Sequence, residues 1–171
     1  MHPLREKSFV ESQEPCAACG RARGYIYQGP LYGKASSDLR ICPWCIADGS
    51  AHDQLGVFFN DVMIYSDDPS AEQLPPDDAA IVANRTPGFT TWQGNHWMSC
   101  CGRACIYLGE ADGGDLAGRW ADVVPGMFAD DDLDEEYVRQ TVADIQRGGS
   151  PAAYVFQCRT CGKLQGYWDC D

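Results

Sequence analysis

Ten cysteines stand in a chain of 171 residues, and most of them come in pairs. Cys16 with Cys19, Cys42 with Cys45, and Cys158 with Cys161 share C-x-x-C spacing, while Cys100, Cys101 and Cys105 crowd a fourth place. Two thiolates at that spacing can face one ion, and four make the closed tetrahedral set of structural zinc. Cys16, Cys19, Cys42 and Cys45 read as C-x2-C, 22 residues, C-x2-C, close to the usual spacing of a four-cysteine site. A buried thiol pair or a redox C-x-x-C would explain one pair and leave its partner pair unexplained.

The second set begins with Cys158 and Cys161, whose partners must come from 100–105. Cys101 and Cys105, at C-x3-C spacing, are the expected pair. Vicinal cysteines such as Cys100 and Cys101 rarely reach one ion without backbone strain. Cys100 or His96 remains a substitute ligand, and Cys170 is left over. The expected cofactor is Zn2+, two ions per chain, in sites with no open position for water and hence a structural role.

The elements that must hold these sulfurs are short. CAACGRARGYIY from Cys16 and CRTCGKLQGYW from Cys158 both fit C-x-x-C-G-[KR]-x-x-G-Y. A Gly after the second cysteine takes the positive φ of a tight turn, and the aromatic run after it alternates as a strand does. Each copy therefore reads as a zinc knuckle closing a β-hairpin. Cys42 and Cys45 open a stretch with Pro43 at a helix start, where free N–H groups stabilise thiolate. Gly49 and Ser50 weaken that helix, but a knuckle facing a helix start favours a treble clef over a zinc ribbon. Farther on, Leu133 to Arg147 predicts a helix: acids early, a base late, Val138, Val142 and Ile145 on one face, and Gly148-Gly149 as the stop. Core packing is the ordinary role of that face.

These elements predict an α+β fold of two zinc-knuckle or treble-clef-like lobes with β-hairpins and a few helices. The lobes are expected at 1–60 and 89–171, joined by an acidic loop or short-helix connection at 61–88 and sharing one core.

The formal net charge is −12. Eight thiolates and two Zn2+ would change it to −16, since they add −8 and +4. Such a chain is poorly suited to phosphate backbones, whose binding relies on Lys and Arg, and to anionic membrane surfaces. The acids are uneven: 110–136 holds ten acids and one base, and 61–78 holds six acids and no base. These runs read as solvated surface. The N-terminal residues lack the apolar core of a signal peptide, and no run approaches the ~18 apolar residues of a membrane span. Both features lead to the expectation of a cytoplasmic protein, where thiols stay reduced.

CPWCIADGSA (Cys42 to Ala51), RTPGFTTWQGNHW (Arg85 to Trp97), CGRACIYLG (Cys101 to Gly109) and FQCRTCGKLQGYWD (Phe156 to Asp169) resemble the CbrC-like family of bacterial proteins. The similarity runs from about Pro15 to Trp168, most of the chain. It implies a soluble bacterial protein with cysteine metal motifs, in a setting of stress response and tolerance of colicin E2, a nuclease toxin. It supplies no catalytic residues. A family member with His where this chain has Cys100 keeps a ligand role open at that position.

HExxH, GxSxG, GxGxxG and P-loop motifs are absent from the sequence, which points away from an enzyme. The expected function is a non-catalytic zinc protein that meets another protein, with Trp92, Trp97 and Trp120 as candidate recognition residues or, more ordinarily, core. The alternatives are a thiol-based redox enzyme or sensor using Cys100-Cys101 or Cys170, and a nucleic-acid-binding zinc module using Arg21, Arg23, Lys34 and Arg40. Because structural zinc supplies folding free energy, Cys16→Ser or Cys42→Ser is predicted to unfold the first lobe, and Cys170→Ser to cost little. Equal melting temperatures for the three variants would overturn the ligand assignment.

Overall fold

The architecture is described from a computed structural model covering residues 8–33, 38–62, 74–129 and 133–171. It is a mixture of small antiparallel sheets and short helices, as the α+β expectation had it. The chain forms two compact units, Met1–Thr90 and Thr91–Asp171.

In the first unit, strand β1 (Phe9–Ser12) pairs antiparallel with β2 (Gly24–Tyr27), with Phe9 opposite Tyr27. The first knuckle is the connection between them. A second ladder joins β3 (Tyr32–Gly33) to β4 (Val57–Phe58). Between β3 and β4 lie α1 (Pro43–Ala47) and α2 (Ser50–Leu55). The Gly49-Ser50 step that weakened the helix reading is where the helix breaks: Gly49 sits at φ 87° and caps α2. Gly56, at φ 64°, ends α2 in the left-handed conformation usual after a helix. Val57 and Phe58 follow at once as strand.

Burial explains why so few regular elements suffice. Phe9, Tyr27, Ile41, Ile46, Val57 and Phe59 form one core together with three of the cysteines. The rings of Phe9, Tyr27 and Phe59 lie 5.5 and 5.3 Å apart in sequence, the second pair edge to face. The Tyr27 amide donates to the Ile41 carbonyl at 2.8 Å, which sets the residue before Cys42 against β2. Helix α3 (Pro76–Arg85) covers part of the expected acidic connection, while 63–73 lies outside the described residues. Asn60, fully buried, donates its side-chain amide to the carbonyls of Val82 at 2.9 Å and Thr86 at 2.8 Å. Arg85 in turn donates to the Ala47 carbonyl at the end of α1.

The second unit is built on a three-stranded antiparallel sheet in the order β7-β8-β9: Ile106–Ala111, Ala152–Gln157 and Leu164–Asp169. Before it comes a small hairpin, β5 (Ser99–Cys100) with β6 (Arg103–Ala104). Strand β8 is central and buried on both faces. One face meets α4 (Gly113–Ala117), a 3-10 turn (Ala121–Val123), α5 (Val124–Met127) and α6 (Glu135–Asp144), which bury Leu116, Trp120, Val123, Met127 and Ile145 against Ala153 and Val155. The other face carries Tyr107, Tyr154, Phe156 and Tyr167, with Trp97 edge-on to Phe156 at 5.6 Å.

Helix α6 is shorter than the predicted 133–147 at both ends. Asp134 caps it by accepting from the Tyr137 amide. Ile145 is already extended, with its side chain in the core and its carbonyl accepting from the Gly113 amide at 3.0 Å. A cooperative tertiary contact thus ends the helix before the Gly148-Gly149 stop. Of the three tryptophans weighed for recognition, Trp120 is core, Trp97 packs on Phe156, and Trp92 is 51% exposed.

Removing the Asn60 side chain would leave the buried Val82 carbonyl and the partly buried Thr86 carbonyl without this donor, at about 1–3 kcal/mol each. Asn60→Ala is therefore predicted to lower the stability of the first unit by about 2–4 kcal/mol. Urea unfolding followed by the tryptophan signal of that unit checks it; a change under about 0.5 kcal/mol would sink the account.

Candidate metal centres

The first knuckle is closed by its own backbone. The Cys16 amide donates to the Arg21 carbonyl at 3.0 Å, and the Gly20 amide donates back to the Cys16 carbonyl at 2.7 Å. Gly20, at φ 68°, makes the turn that a side chain would resist. Opposite, Cys42 caps α1 with extended backbone, and Pro43 occupies the first helical turn, where it needs no amide partner. Cys45 follows one turn later on the buried side. The Cys42 amide donates to Cys16 Sγ at 3.3 Å, which ties the two halves together.

The second knuckle repeats the first bond for bond. The Cys158 amide donates to the Lys163 carbonyl at 2.8 Å, and the Gly162 amide to the Cys158 carbonyl at 3.1 Å, with Gly162 at φ 75°. It joins β8 to β9, so both knuckles close a hairpin as the repeat suggested. Its opposite half is another hairpin tip, the two-residue turn Cys101-Gly102 between Cys100 and Arg103. Both turn residues have positive φ, 53° for Cys101 and 67° for Gly102, the mark of a type I′ turn. A left-handed non-glycine residue costs roughly 1–2 kcal/mol. That strain is what brings two adjacent cysteines to one side.

Among the described residues, two groups could hold a metal ion: Cys16, Cys19, Cys42, Cys45, and Cys100, Cys101, Cys158, Cys161. Within each group all sulfurs lie within 4.8 Å of one another. A tetrahedral ion with metal–sulfur bonds of about 2.3 Å places its sulfurs about 3.8 Å apart. The separations here are 4.0 Å for Cys19–Cys42, 3.9 Å for Cys100–Cys101 and 3.8 Å for Cys100–Cys161. None of the ten cysteines is in a disulfide. The donor sets therefore fit a divalent thiophilic ion.

The protonation pattern agrees. Burial pushes the Cys16 thiol up, but amides of Cys42, Cys19 and Ala18 together outweigh it and hold it at about 7. Burial, then the neighbouring sulfurs, drives Cys45 to about 12 against the Ser50 hydroxyl. In the other cluster the amides of Cys161 and Thr160 hold Cys158 at about 6. Cys100 is pushed up to about 12, chiefly by its bond to Cys158. Each cluster thus stabilises one thiolate from its own backbone.

With that geometry in place, the relatives are informative. The family described as "Uncharacterised protein family (UPF0167)" matches residues 1–170 of this chain. The chain belongs to the UPF0167 family. It shares 36% identity over 171 residues with UPF0167 protein PA1536 of Pseudomonas aeruginosa, covering 99% of this chain and 92% of the relative. It shares 32% identity over 169 residues with UPF0167 protein Mb2317 of Mycobacterium bovis, covering 98% of this chain and 88% of the relative. No solved structure matches it.

The expected residues fall unequally in this UPF0167 chain. All four cysteines of the first set come together. In the second, Cys101, Cys158 and Cys161 do, but the fourth place is taken by Cys100. Cys105, the expected ligand, is buried under the sheet, its thiol donating to Gln165 Oε1 at 3.3 Å. The reason is register: pairing of Cys100 with Arg103 makes 101–102 the turn, and Cys105 falls on the far side of the hairpin, donating its amide to the Met98 carbonyl. The Gly102 that follows Cys101 is the one sequence signal for such a turn, whose second residue favours Gly. His96 stands edge-on to the Tyr167 ring at 5.7 Å. The Cys170 carbonyl accepts from the Gln93 side chain. No helix is long and apolar enough to cross a membrane, among the described residues.

Cobalt(II) titration distinguishes the two versions of the second cluster. Cys100→Ser is predicted to lose about half of the sulfur-to-cobalt absorption, which tracks thiolate ligation, and Cys105→Ser to keep it. The reverse pattern would restore Cys105 as the ligand.

Proposed function

We propose that the chain is a non-catalytic zinc protein whose two units are each organised by one Zn2+, held by Cys16, Cys19, Cys42 and Cys45 and by Cys100, Cys101, Cys158 and Cys161. The observation that carries this reading is the pair of all-sulfur sets, each with its four sulfurs within 4.8 Å of one another. Four thiolates fill the coordination sphere of zinc and leave no place for an activated water, so the ion's contribution is to folding. The first unit looks like a treble-clef variant, with a knuckle facing a helix start. The second resembles a ribbon, with two hairpin tips facing each other.

The fold then serves to present a surface to another protein. The formal charge of −12 supports a protein partner over a nucleic acid. The similarity of the cysteine motifs to the CbrC-like family supports a bacterial, cytoplasmic setting in stress and colicin tolerance. In that setting, expression of the native chain in a colicin-sensitive bacterium is predicted to raise survival, and expression of the Cys16→Ser variant is not.

The decisive measurement is metal counting. The purified chain is predicted to carry two zinc ions, lost below the pH at which the thiolates protonate, because ligands must be deprotonated to bind. Stripping them with a chelator is predicted to unfold the first unit. A metal-free chain with an unchanged melting curve would end this reading.

A further inference from the structure

We infer that the second cluster is an oxidation site, at which a peroxide converts Cys161 and Cys100 to a disulfide and releases that unit's zinc, while the first cluster keeps its ion. This rests on the zinc reading above.

The two clusters have one chemistry and two environments. In the first, Cys16, Cys42 and Cys45 are buried at 1%, 0% and 2% exposure and belong to the core with Ile41, Ile46 and Val57. In the second, Cys101 and Cys161 are exposed, Cys100 is half-buried, and Cys158 alone is buried. The core of that unit is built from other residues, among them Leu116, Ile145 and Val155. Oxidation of cysteine follows thiolate character and access. Zinc supplies thiolate character equally to both clusters, so access decides between them.

The geometry also provides the resolving partner. Cys100 Sγ lies 3.8 Å from Cys161 Sγ, on a different hairpin, so a bond between them closes no strained vicinal ring. Cys100 is equally close to Cys101, at 3.9 Å, but there the two are neighbours in sequence and Cys101 is already held at φ 53°. In the first step the Cys161 thiolate attacks one oxygen of hydrogen peroxide. The O–O bond breaks, hydroxide leaves and takes a solvent proton to become water, and Cys161 becomes a sulfenic acid. In the second step the Cys100 thiolate attacks the Cys161 sulfur. The S–O bond breaks, the S–S bond forms, and a second hydroxide leaves as water with a second proton. Two electrons pass from the two sulfurs to the peroxide. The ion, left with Cys101 and Cys158, dissociates.

The test uses the full chain as purified with its metal, exposed to hydrogen peroxide, with zinc release followed by a chromogenic chelator, thiols counted, and disulfides mapped by peptide mass. The expected result is loss of one of the two ions and of two thiols, a Cys100–Cys161 disulfide, and recovery of the ion on adding dithiothreitol and zinc. A Cys170→Ser variant is expected to release zinc as the native chain does. A Cys105→Ser variant, whose thiol stands outside the cluster, is likewise expected to release zinc and to form the Cys100–Cys161 disulfide. With two ions present at the start, simultaneous loss of both, retention of both in excess peroxide, thiols lost from the first cluster, or abolition of release by Cys170→Ser would each overturn this inference alone. Absence of zinc at the start would overturn the zinc reading and this inference together.

Discussion

Like charges about 4 Å apart repel by about 1 kcal/mol in water and by about 4 kcal/mol near a protein surface. Four thiolates at that spacing cannot coexist without a cation, and four thiols there would leave weak donors facing one another. Both units of this chain place four sulfurs under that constraint. Each meets part of it with backbone, aiming amides at Cys16 in one unit and at Cys158 in the other. The remainder is what a bound cation would meet, and the short strands and helices around each set are arranged so that an ion there would bridge them.

Bringing the sulfurs together also goes with the economy of the fold. The first unit has ladders of four and two residues and helices of five, six and ten, shorter than isolated elements that persist in water. They hold because the cysteines are part of the core itself, beside Ile41, Ile46 and Phe59. The second unit has a more ordinary core between a three-stranded sheet and its helices, and the four cysteines of its cluster sit at hairpin tips. One device is therefore used in a core in one unit and at an exposed edge in the other. That difference in access, with the ligand chemistry held fixed, is the physical ground for expecting different reactivity.

The repeated knuckle also clarifies its motif. Both copies carry Gly after the second cysteine for the same turn, and both carry a second Gly before Tyr. Gly24 has φ 86°. At Gly166 the reason is space: a Cβ there would come within 2.7 Å of the Tyr154 carbonyl, so only Gly lets β9 lie against β8. The same letter answers to conformation in one copy and to packing in the other.

Local chemistry was legible in the residues alone. The C-x-x-C-G repeats dictated two hairpin-closing turns, Pro43 after Cys42 marked a helix start, and Gly49 marked its weakness, because each of these depends on φ, on a missing amide or on side-chain spacing within a few residues. The first four-cysteine set followed, since its two halves had no competing partners. The second did not. The choice between Cys100 and Cys105 depended on which residues form the hairpin turn, and a slip of register moves a side chain to the opposite face. Ile145 likewise left its helix early because a core position claimed it. Spacing along the chain determined which groups can bind one ion; packing across the sheet decided which of them arrive there, and how much solvent they meet.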